Sequence, residues 1–147
     1  MFIKIIINII ISGVLTWALS KFITPMAHTD ILSTAGVLST VSGILFGFVL
    51  ASISVFSSAS SSKEGIIHAL KANKILPQII KNLLSTGVML ILACIFPLIA
   101  MFINDKIIVK EIRLDFILTL FGFSILMLSI GSFISTWRRI NWILPHI

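Results

Sequence analysis

The chain has 147 residues, of which 58% are hydrophobic and only 11% charged, with a mean hydropathy of +1.17. Soluble domains are about 45–50% apolar and about 25% charged, and at this charge content too little polar surface remains to coat a water-soluble particle. The balance excludes an ordinary cytosolic enzyme, a disordered regulator and a secreted disulfide module, and the expected class is an integral membrane protein.

In chain order, the first apolar run predicts a span over residues 3–23, with Lys4 and Lys21 near its ends and Asn8 inside it. The competing reading is a signal peptide, with Lys4 as n-region, the isoleucine run as h-region and Ala18-Leu19-Ser20 as cleavage site. The apolar stretch is long for an h-region, so a retained span is expected. The second span, 31–57, exceeds the roughly 20 residues that cross about 30 Å of hydrocarbon, and should tilt or protrude. A basic cytoplasmic loop, 58–77, follows. In it Ile66, Ile67 and Leu70 share one face of a short interfacial helix while Lys63, Lys71 and Lys74 point to water or headgroups. The third span, 78–103, starts from Pro77 in a first helical turn and contains Pro97, which should kink it. The loop Asn104–Asp115 mixes Ile107, Ile108, Val109, Ile112 and Leu114 with charges, and should lie on the outer leaflet or pair as a brief strand. The fourth span, 116–137, ends at Trp137 and Trp142 around Arg138 and Arg139, as interfacial anchors do. Asp30 and Asp115 stand just before spans, where a carboxylate caps free N–H groups. The expected fold is all-α: one transmembrane domain, 1–147, forming a four-helix transmembrane bundle with a short cytoplasmic interfacial helix.

The formal charge of +6 reads as topology. With the N-terminus inside, Lys4, Lys63, Lys71, Lys74, Lys81, Arg138 and Arg139 face the cytoplasm against Glu64 alone, seven cations to one acid. Lys21, Lys106, Lys110 and Arg113 lie outside and are balanced by Asp30, Asp105, Glu111 and Asp115. Both termini are therefore expected in the cytoplasm.

No Asp, Glu, Lys or Arg lies in the core of a span, which argues against a proton-coupled transporter and against membrane-embedded catalysis. No serine has a histidine and an aspartate partner at membrane depth, and a non-enzyme is expected. His28, His68 and His146 are far apart without companions at ligand spacing, and Cys94 is the single cysteine. No metal and no cofactor are expected.

Two helical patterns stand out. Ala35, Ser39, Gly43, Gly47 and Ala51 recur every four residues in the second span and include a GxxxG, a stripe that lets another helix backbone approach closely. It packs either against the chain's own first or third span or against a second copy in a homo-oligomer. In the first span Asn8, Ser12, Thr16 and Ser20 form a polar line. They serve interhelical hydrogen bonds or, for Asn8, Ser12 and Thr16, border a narrow aqueous path in an assembly. The basic residues Lys63, Lys71, Lys74, Lys81, Arg138 and Arg139 form a surface for anionic lipid or for an acidic cytosolic protein partner. Without aromatic residues between the lysines, direct nucleic-acid binding is not expected.

The short first span, the small-residue second span from Leu32-Ser33-Thr34-Ala35-Gly36 through Gly43 to Ser58, the basic inner loop and the closely spaced last pair together resemble a known group. These are the small four-span membrane proteins of bacterial antiphage defence: the KwaA membrane subunits of the Kiwa system and, more remotely, the RexB phage exclusion proteins. The likeness covers most of the chain and rests on topology, size and texture. The Kiwa resemblance implies a homo-oligomeric inner-membrane sensor of envelope disturbance that works with a cytosolic effector. The exclusion-protein resemblance implies a gated ion channel that depolarises the membrane, with a holin-like pore as its simpler relative.

Overall fold

A computed structural model describes residues 2–24, 27–59, 75–103, 107–109 and 112–143. The chain forms helices α1 (Phe2–Phe22), α2 (His28–Ala59) and α3 (Ile75–Phe102), a hairpin of β1 (Ile108–Val109) and β2 (Ile112–Arg113), and helix α4 (Leu114–Ile143). All four helices are long and apolar enough to cross a membrane. The helices overrun three of the four predicted spans, because helical hydrogen bonds continue past the apolar stretch that hydropathy detects. Asp30 and Asp115 consequently sit within the first turns of α2 and α4 and not before them. Pro77 is in the first turn of α3, where its missing N–H costs no helical bond. Of the two alternatives for the 104–115 loop, the strand pairing forms, with Ile108 opposite Arg113 and Val109 opposite Ile112. The interfacial helix expected around Lys63–Lys74 lies outside the described residues.

The core runs along α3. Leu83, Met89, Leu90 and Ala93 of α3 meet Ile125 and Leu126 of α4 on one side and Leu38 and Val49 of α2 on another. Phe96 and Phe121 add an edge-on ring pair across α3 and α4, centroids 4.9 Å apart. Helix α1 packs mainly against α4 and not against its sequence neighbour α2. A second, smaller cluster at the hairpin end joins Ile31 of α2 to Phe116 and Leu120 of α4, with Leu19, Ile23 and Ile112 against it. The hairpin end thus carries the starts of α2 and α4. The opposite, basic end carries the starts of α1 and α3 and the end of α4, tied by a Lys4 Nζ to Asn82 Oδ1 hydrogen bond of 3.2 Å.

Helices α3 and α4 approach closely at one point. Pro97 is buried and its ring rests on Gly122, where no side chain stands in the way. Pro97 cannot donate to the Ala93 carbonyl one turn back, and that oxygen also lies against Gly122.

Candidate functional site

The four-residue stripe of α2 divides. Ala35 is fully buried, and half-buried Ser39 places its Oγ 3.1 Å from Cys94 Sγ on α3. Gly43, Gly47 and Ala51 are exposed, and a β-carbon added at either glycine would meet nothing within 4 Å. The division follows from helix geometry: a repeat of four residues advances about 40° per step around a 3.6-residue helix. The stripe therefore leaves the α3 contact and reaches the outer surface. There it joins a straighter track of small residues, Gly36, Thr40, Gly43, Gly47, Ala51, Ser54 and Ser58, spaced by three or four. The hydroxyls of Thr40, Ser54 and Ser58 bond back to carbonyls of their own helix, at 2.9, 3.0 and 3.0 Å. The track is thus small and its hydroxyls internally satisfied, and it runs beside the exposed side chains of Val37, Ile44 and Phe48.

The polar line of α1 faces α4 over its middle. Ser12 is completely buried and donates to Ile9 O at 2.8 Å. Thr16 Oγ1 lies 2.7 Å from Ser12 O and 3.0 Å from Ser124 Oγ of α4. Asn8 is half-buried nearer the basic end. Among the basic residues, Lys81, Arg138 and Arg139 are exposed at that same end, and Lys63, Lys71 and Lys74 lie outside the described residues.

One constellation was not singled out by sequence: His28, Arg113 and Asp115 meet at the hairpin end. The Asp115 side chain is 1% exposed. Its Oδ1 accepts from the Phe116 N–H at 2.9 Å and from Arg113 Nε at 3.2 Å, while Oδ2 takes a short bond from Arg113 Nη2. His28 Nδ1 is 2.9 Å from Asp115 Oδ2 and 3.0 Å from Arg113 Nη2. Arginine only donates, so Nδ1 serves one neighbour at a time. It donates to Asp115 when it carries a proton and accepts from Arg113 when it does not. In either state the group clasps the start of α2 to β2 and the start of α4. The legible signal was the Arg113-x-Asp115 pair at a span boundary, on the same side as His28 before the second span.

No protein-family model, curated protein or solved structure matches the chain.

Proposed function

We propose that the chain is a multi-pass protein of the bacterial inner membrane, with both termini cytoplasmic. It assembles as a homo-oligomer and serves antiphage defence by sensing envelope disturbance and coupling to a cytosolic effector. Membrane placement is supported by four apolar helices and by the concentration of cations at one end. The observation that carries the assembly is the open space over Gly43 and Gly47. Lipid chains fill a backbone groove poorly, whereas a second helix fits it closely and gains dispersion contacts. The defence role is supported by the resemblance to small four-span defence proteins. The lysines of the 58–77 loop, with Arg138 and Arg139, would offer the effector its docking surface.

A gated ion channel or holin-like pore is the second reading, and the small hydroxyl-bearing track of α2 favours it, since such a track would make a smooth strip of pore wall. Ser12 and Thr16 are occupied within the protomer against α4.

The discriminating experiment expresses the full chain alone and follows membrane potential with a voltage-sensitive dye. Rapid depolarisation supports the pore and sinks a pure coupling subunit. Gly47→Leu should reduce oligomer size in mild detergent, and an unchanged size refutes assembly through this face. Phage plaquing on cells carrying the chain with its flanking genes tests the defence role, which fails if deleting the chain leaves plaquing unchanged.

A further inference from the structure

Near the basic end, α1, α3 and α4 do not close against one another. They leave a half-open cleft of about 470 Å³ lined by Lys4 and Asn8 from α1, Asn82 from α3 and Ser132, Ser135 and Arg139 from α4. Its polarity is graded along α4. The lining runs from Arg139 through Ser135 and Ser132 to Leu128 and the exposed Met127. From Arg139 to Met127 the helix covers about 18 Å at 1.5 Å per residue. On α1 the same order holds, with Lys4 followed about one turn along by Ile7.

Two cations share the basic end of the cleft. Lys4 has the neutral amide of Asn82 as its hydrogen-bond partner. The side-chain carboxylates among the described residues, Asp30 and Asp115, both belong to the opposite end. Two like charges around one cleft attract an anion. A guanidinium fork, an ammonium, an amide and hydroxyls are the donors that phosphate oxygens accept from. Inorganic phosphate would satisfy the basic end alone, whereas a phospholipid also covers the apolar wall.

We propose that this cleft binds the phosphate of an anionic membrane phospholipid, held between Lys4 and Arg139, with its glycerol and first acyl carbons against Leu128 and Met127. The inference rests on the membrane placement proposed above and is independent of assembly and of defence. Basic pockets between membrane helices hold acidic headgroups by the same chemistry.

The test is native mass spectrometry of the full chain, purified in mild detergent and loaded with phosphatidylglycerol or phosphatidylcholine. Preferential retention of phosphatidylglycerol is expected, because choline brings a further cation to a cleft that already holds two. At about a fivefold affinity change per charge, Lys4→Gln with Arg139→Gln should weaken retention on the order of 30-fold. Lys81→Gln with Arg138→Gln removes the same net charge at the same end but does not touch the cleft, and should weaken retention only by the general loss of surface charge, far less than the cleft pair does. Equal loss in both double variants, or equal retention of the two lipids by the wild type, overturns the site. Displacement of the lipid by millimolar inorganic phosphate overturns the lipid in favour of a free anion. Recovery of the chain from cells without detergent would instead overturn the membrane placement, a failure distinct from that of the cleft.

Discussion

Gly122→Ala measures how closely α3 and α4 must approach. A β-carbon at position 122 would stand 2.4 Å from Cγ and 2.6 Å from Cδ of Pro97, and 3.4 Å from the Ala93 carbonyl oxygen. The proline ring is closed and buried, so it cannot rotate aside as a flexible side chain would. To lengthen 2.4 Å to the 3.4 Å of ordinary contact, the helices must part locally by about 1 Å, at a cost of about 1–3 kcal/mol. Alanine also gains roughly 1 kcal/mol over glycine in helix propensity, which would hide part of the clash. Gly13 supplies the correction, because a β-carbon there meets nothing within 4 Å. The stability difference between Gly122→Ala and Gly13→Ala should therefore be about 1–3 kcal/mol, read by reversible denaturant titration in mixed micelles. Pro97→Ala removes the two ring carbons in the way. In that background Gly122→Ala should cost no more than Gly13→Ala, which gives a coupling energy of the same size. Equal stability of the two glycine variants with Pro97 in place would refute the close approach.

Three further outcomes follow from the packing. Asp115→Asn keeps an acceptor for the Phe116 N–H but removes the charge that faces Arg113 and His28; with Arg113 partly exposed, a loss of about 2–3 kcal/mol is expected. Asp115→Ala should lose about 1 kcal/mol more as the buried Phe116 N–H loses its acceptor, and equal stability of Asn and wild type in the same titration would show that the charge is idle. Gly87→Ala should stabilise by about 1 kcal/mol, since its β-carbon would rest in ordinary contact, 3.5 Å from both Phe46 and Val49; a destabilised variant would place α2 and α3 closer than described. Ser42 Oγ is buried without a hydrogen-bond partner, so Ser42→Ala should raise stability by about 1 kcal/mol, and a loss on substitution would reveal a partner for that hydroxyl.

Helix number and approximate position were legible because each apolar run is bounded by charge, and α1 at Phe2–Phe22 departs from the expected 3–23 by one residue at each end. What was not legible is which helices touch. Hydropathy carries no sign that α1 docks on α4, and the His28–Asp115 contact joins residues 87 apart in sequence. Gly122 reads in sequence as one of several small residues scattered through the last span; only its place opposite Pro97 gives it a role. The α2 stripe divides in a way its spacing alone does not announce. Its strict four-residue repeat looked like a single interface, yet the angular drift of such a repeat turns Ala35 and Ser39 inward and Gly43 and Gly47 outward. The closer match to the helical period, through Gly36, Thr40, Gly43, Gly47, Ala51 and Ser54, was hidden because its members are of mixed chemistry.

Burial within the chain is unequal, at 50% of the most apolar stretch of α3 against 17% for each of α1 and α2. In water this would itself drive association, because Val37, Ile44 and Phe48 lie exposed on α2 and would bury apolar area. In a bilayer that argument lapses, since lipid tails are as apolar as these side chains and their exposure has no cost to relieve. Whatever favours a second copy must therefore come from packing that lipid cannot match, and on α2 that means the backbone groove over Gly43 and Gly47. The two driving forces predict different variants. If association followed apolar area, Ile44→Ala would weaken it as much as Gly47→Leu. If it follows close backbone approach, Ile44→Ala leaves oligomer size unchanged while Gly47→Leu, which adds apolar surface, reduces it.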